Sequence, residues 1–148
     1  MNTNLLIYSE AAKYIGVSEI PGPGSNPVII KFIDEAASWL KDDVRDIDGS
    51  IAWCGCFRGH IGLATATGVP AAHYRAISWA TWGRPISLNP TNWFKGMTAI
   101  MSRPGGNHVT LIDHIEGDTV YCLGGNQSDK VCISPFPISR ITHVRSAL

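Results

Sequence analysis

One change of rhythm along the chain limits its fold more than any single motif. Up to about residue 70 the apolar residues recur at helical spacing; beyond residue 97 they alternate with polar ones in short runs. Leu5, Tyr8, Ala12 and Ile15 mark a first helix that Gly16 should stop. Asn26 can cap a second helix with Pro27 at its first position, and Val28, Phe32, Ala36, Trp39 and Leu40 give it an apolar face. A third helix is expected from Trp53–Cys54 to Thr67, ended by Gly68 with Pro70 just beyond. Strands are expected over 97–101, 108–115, 119–123, 130–133 and 141–144, separated by Gly and Pro. Helices followed by antiparallel strands predict an α+β layer structure, with N-terminal helices packed on a C-terminal sheet. The 148 residues suit one domain over 1–148, helical over about 1–70 and stranded over about 97–148, with no room for a separate binding domain.

Charge then removes whole classes of function. Twelve Lys and Arg balance twelve Asp and Glu, and charged residues are only 16% of the chain. A protein that grips nucleic acid by neutralising phosphates would be basic, so that partner is not expected. The same neutrality lacks the polybasic signature of a membrane-surface protein. No apolar run approaches the length of a membrane span, and the N-terminus has no basic stretch leading into an apolar one, so neither insertion nor a secretory leader is expected. The expectation is a monomer made in the cytoplasm, meeting any external substrate only after release or delivery. Cys54, Cys56, Cys122 and Cys132 then read as free thiols.

Cys54 opens the third helix. A helix N-terminus presents free N–H groups and a partial positive charge, which stabilise a thiolate and can also hold an oxyanion. Cys56 points elsewhere and reads as a small core residue, a reading that position alone allows for Cys54 too. A base is needed, and His108 begins a strand directly after the turn Pro104-Gly-Gly-Asn107. The hairpin arithmetic places an amide beside it. A three-residue turn at 116–118 sets His108 opposite Asn126; a two-residue turn at 117–118 sets it opposite Gln127. Either amide could fix the imidazole tautomer, giving a Cys–His–amide arrangement suited to nucleophilic catalysis.

The ordered set Ile51-Ala-Trp53-Cys54, Ser78-Trp79-x-x-Trp82-Gly83, Asn107-His108-Val109 and Leu123-Gly-Gly-Asn126-Gln127 resembles the NlpC/P60–CHAP superfamily of peptidoglycan-cleaving cysteine hydrolases, in a phage-endolysin-like branch. The likeness spans nearly the whole chain. It implies a papain-like core with Cys54 as nucleophile, His108 as base and Asn126 as the third member. It also implies an endopeptidase or amidase that cuts a peptidoglycan amide without a metal or other cofactor. Candidate substrate contacts are Glu19, Trp53, Trp79, Trp82 and Gln127. One departure stands out: some CHAP enzymes carry a glutamate where this chain has Gly124, so an extra polar group would have to come from Gln127 or Glu19. Rival readings are a delivered antibacterial amidase with an immunity partner, and an inactive wall-binding domain.

Two metal readings fare poorly on spacing. With Gly49 as the loop glycine, the acidic run Asp42, Asp43, Asp46, Asp48 puts Val44 and Gly55 where a calcium loop needs oxygen ligands. Cys54, Cys56 and His60 lack a second ligand pair for zinc. Trp79, Trp82 and Trp93 fit either a glycan-stacking groove or the core.

Overall fold

Two asparagines decide where the first helices begin. In the computed structural model, which describes residues 2–20, 25–36 and 53–148, Asn2 caps α1 (Thr3–Ala12) by accepting from the Asn4 amide at 2.8 Å. Asn26 caps α2 (Pro27–Glu35) by accepting from the Val28 amide at 2.9 Å, with Pro27 at the first turn where its missing N–H costs nothing. The third helix, α3, covers Cys54–Ala64. Trp39, Leu40 and the acidic run over 42–48 lie outside the described residues.

The strands β1 (Arg84–Ile86), β2 (Thr98–Arg103), β3 (Gly106–Glu116), β4 (Thr119–Gln127), β5 (Lys130–Pro137) and β6 (Ile141–Ser146) form one antiparallel sheet in the order β1-β6-β2-β3-β4-β5. The protein is therefore a mixed α+β structure. Beyond the five expected strands there is β1, three residues that pair with β6 at the sheet edge. At the other edge residues 16–19 lie along β5, through Gly16 N–H to Val131 O at 2.9 Å and Val131 N–H to Val17 O at 2.8 Å.

Alternation along the strands splits the interior in two. Ile100, Val109, Leu111, Leu123 and Val131 face the helices and pack with Ile7, Phe32, Trp53, Phe57 and Ile61. Met101, Ile112, Val120, Cys122 and Val144 face the opposite way, into a second cluster partly covered by Phe136 and Ile138. Burying both faces leaves little room for slippage, because a one-residue shift would exchange the two sets.

The β3–β4 pairing contains both registers that the hairpin arithmetic allows. Near the tip, Glu116 faces Thr119 and His114 faces Tyr121 across a two-residue turn; beyond Asp113, Ile112 faces Cys122 and Leu111 faces Leu123. Asp113 is the extra residue of a bulge. Its carboxylate accepts from the Tyr8 hydroxyl and lies 3.4 Å from Lys95 Nζ, so helix and loop side chains hold the bulge. A second bulge interrupts β4–β5 between Gly124 and Gln127, where Asn126 has φ 58°.

Helix α3 approaches its neighbours closely because glycines line one side of it. A Cβ on Gly55 would stand 2.4 Å from Tyr74 O, and one on Gly62 would stand 2.6 Å from Gly68 O. The 68–74 backbone thus crosses α3 at glycine distance, and the helix start is pinned. Among the described residues no helix is long and apolar enough to cross a membrane.

Candidate active site

Trp53, the residue before α3, is fully buried, and its indole N–H donates to Glu19 Oε2 at 2.9 Å. Its carbonyl accepts the first helical hydrogen bond, from Phe57 N–H at 2.9 Å. Among the described residues no side chain caps this helix, which leaves the amides of its first turn available. The amides of Cys54 and Gly55 bear on the Cys54 sulfur, as does the Val109 amide from strand β3. Burial outweighs these donors: Cys54 is 2% exposed, and its thiol is held above the usual cysteine range. The resting sulfur is a protonated thiol that the helix end is built to stabilise once it ionises.

His108 follows the β2–β3 turn, opposite Met101, and is 3% exposed. Its Nε2 lies 3.0 Å from Gln127 Oε1. The identity of that oxygen follows from the other end of the same side chain. Gln127 Nε2 lies 3.1 Å from Cys122 O and 2.8 Å from Cys132 O; two carbonyls can only accept, so the atom between them is the amide NH2. Oε1 must then accept, from Thr110 Oγ1 at 2.8 Å and from His108. His108 therefore carries its proton on Nε2, and Nδ1 is left as the bare lone pair. Nδ1 is buried and has no hydrogen-bond partner among the described residues. Burial, chiefly, drives the imidazole pKa down to about 4, with the Gln127 bond opposing and the charges of Arg103 and Arg140 adding to the fall. At neutral pH the ring is an uncharged base.

These facts correct the expected third member. Asn126 lines the same cleft but makes no hydrogen bond to His108; it supplies the left-handed bulge, and Gln127 reaches His108 and Thr110. Gly124 completes the correction. A Cβ there would stand 2.5 Å from both Gln127 Oε1 and Thr110 Oγ1, so the carboxamide of Gln127 fills the space that a side chain at 124 would need.

No protein-family model matches the chain, and no curated protein matches it.

Cys54 and His108 lie on opposite sides of β3, with no hydrogen bond between them. The sulfur meets the strand at the Val109 amide, on the side of the helical core, while His108 shares the opposite face with Met101 and packs 5.9 Å from Phe136. Proton transfer from Cys54 to His108 therefore requires the start of β3 to rearrange until both side chains reach one side of the strand.

The tryptophan expectations need correcting as well. Trp53 and Trp79 have no exposed surface and Trp82 and Trp93 have 8% and 6%, so none offers a stacking face. Trp79 Nε1 donates to His73 O, and Trp82 Nε1 to Thr67 O. Their rings flank the guanidinium of Arg58, at 4.2 and 4.7 Å. Among the described residues that buried cation has only Thr98 Oγ1 as a hydrogen-bond partner, and burial pulls its pKa down to about 9. Glu19 serves Trp53, beside the nucleophile position.

Cys56 is fully buried with its pKa pushed up to about 12, an inert core thiol, as is Cys122. Cys132 is only half-buried and no core thiol: its Sγ lies 3.3 Å from Gln127 O and 3.2 Å from Ser134 Oγ. His60 is engaged at both nitrogens, by Glu35 and by Tyr14 Oη at 2.7 Å, and so is not turned toward Cys54 or Cys56. Among the described residues no three His, Cys, Asp or Glu side chains are grouped to hold a metal.

Residues that spacing did not single out are Thr110, Arg103, Arg140 and Phe136. The last three line a cleft of about 380 Å³ beside His108 and Gln127. The sequence signal for Thr110 was its place two residues after His108, on the same face of a strand.

Proposed function

We propose that the chain is a thiol hydrolase of papain-like, NlpC/P60–CHAP type that cleaves an amide bond of peptidoglycan. His108 Nδ1 takes the proton of the Cys54 thiol as the sulfur attacks the carbonyl carbon. The oxyanion is held by amides of the first turn of α3. As the C–N bond breaks, the imidazole gives that proton to the departing nitrogen, leaving a thioester on Cys54. Water then attacks the thioester with His108 taking its proton, releasing the acid and restoring the thiol. By accepting from Nε2, Gln127 leaves Nδ1 as the nitrogen that takes and returns the proton.

One observation carries this reading: a histidine whose tautomer is set by a fully satisfied carboxamide, with its other nitrogen bare, one residue from the amide that touches a helix-terminal cysteine sulfur. Together with the ordered motifs it favours hydrolysis over wall binding alone. Such an enzyme would meet its substrate after release or delivery.

The test is digestion of purified sacculi, with muropeptides followed by mass spectrometry. The unaltered chain should release soluble muropeptides with new amine ends, and folded Cys54→Ala and His108→Ala variants should release none. Release by folded Cys54→Ala at the unaltered rate would sink the mechanism. Pelleting of the unaltered chain on chemically unchanged sacculi would assign it to wall binding.

A further inference from the structure

The cleft beside His108 is lined by two cations and no carboxylate. In a chain whose charges balance, that is an asymmetry worth explaining. Arg140 is braced: Nε and Nη2 both donate to Ser102 O, at 3.2 and 2.9 Å, and the guanidinium lies 5.5 Å over the Phe136 ring. Its Nη1 has no partner among the described residues. Arg103, across the β2–β3 turn, is half-buried and its side chain makes no ion pair or hydrogen bond among the described residues. Both charges act on His108, the buried residue of the cleft whose Nδ1 has no partner among the described residues. Bringing two guanidinium groups to one cleft costs mutual repulsion, which an anion between them would relieve. The fixed fork of an arginine suits a carboxylate, and Asn126 and Ser134 add neutral hydrogen-bonding groups at the rim.

We propose that this cleft is a subsite for a carboxylate, held by Arg103 and Arg140, on the leaving-amine half of the substrate. The choice of half rests on the thiol-hydrolase reading. The imidazole that takes the thiol proton must return it to the departing nitrogen, so that nitrogen lies on the His108 side. The residue attached to it passes into the cleft. The acyl half lies over the start of α3. The preferred substrate is thus an amide whose amine-side segment is acidic, and a neutral amide at the same place on the substrate is discriminated against.

Binding is tested separately from turnover, using the full-length chain labelled with 15N at its arginine and histidine side chains. The probes are alanyl-glutamate and alanyl-glutamine, both as C-terminal amides, which differ only in the side-chain carboxylate. The glutamate probe should bind at least about tenfold more tightly, shift the Arg103, Arg140 and His108 side-chain signals, and weaken with added salt. Arg103→Gln should remove most of that preference while leaving the thermal midpoint close to the original. Arg103→Gln combined with Arg140→Gln should remove all of it. Equal affinity for the two probes, including binding of neither, overturns the subsite, as does a preference that survives the double variant. The catalytic reading fails separately. If folded Cys54→Ala still digests sacculi while the glutamate preference persists, the cleft stands and the mechanism falls.

Discussion

Replacing Gln127 by leucine removes one side chain of similar size and four hydrogen bonds at once. The carboxamide donates to Cys122 O and Cys132 O and accepts from Thr110 and His108, all within 2.8–3.1 Å. At roughly 1 kcal/mol net for each, the loss is about 4 kcal/mol, and more where a partner stays dry. For a domain of this size that corresponds to a fall in melting temperature of about 8–16 °C. Thr110→Val is the control: it deletes one of the four bonds, costs about 1 kcal/mol, and leaves the clamp on His108 intact. The imidazole itself reports the second effect. In the unaltered chain long-range 1H–15N correlation should show the proton on Nε2 alone; in Gln127→Leu the two tautomers should mix, and any hydrolytic rate should fall by about 100-fold or more. A Gln127→Leu melting temperature within a few degrees of the original, or an unchanged tautomer, would refute the clamp.

Two further outcomes follow from the same coordinates. His108 titrates near 4 when folded against 6.5 when exposed, so between those values the unfolded chain binds the extra proton and stability rises with pH. This residue alone should account for about 2.5 kcal/mol between pH 4.5 and 7.5, measured as the difference between the unaltered chain and His108→Gln in urea unfolding; no difference in pH slope would contradict it. Gly55→Ala improves helix propensity by about 1 kcal/mol, yet its Cβ would stand 2.4 Å from the Tyr74 carbonyl oxygen. Net destabilisation of about 2 kcal/mol is expected by thermal melting, and a stabilised variant would show that the 68–74 segment does not pin the helix start.

Local chemistry was the legible part. Asn26-Pro27 reads as a cap and first turn because one side chain and one ring decide the matter within two residues. The switch from helical to alternating rhythm gave the α+β layering, and the third helix begins at Cys54 as expected. What escaped depended on distant partners. Strand β1 is three residues long and follows a glycine, too short to show alternation; it exists because β6 pairs with it. The hairpin arithmetic leaves Asn126 or Gln127 beside His108 and the resemblance implies Asn126, but two bulges bring Gln127 to the imidazole. No turn count exposes a bulge, since Asn126 in the left-handed region is a consequence of how β4 meets β5. Gly55 and Gly62 lie on one side of a helix, but only the 68–74 backbone crossing there shows why. Spacing leaves Trp79 and Trp82 open to surface or core alike; the Arg58 guanidinium between their rings is a contact that no local pattern shows.

The Asp113 bulge has a practical consequence. It separates the hairpin into a tip and a root that keep independent phase, so the orientation of His108 is decided between Asp113 and the root, whatever happens at Gly117-Asp118. Extra residues spliced between those two positions would lengthen an exposed loop without rotating the imidazole. The tip is therefore the natural point at which to graft an epitope or a targeting peptide, and the chain ends need not be the only attachment points for an added module.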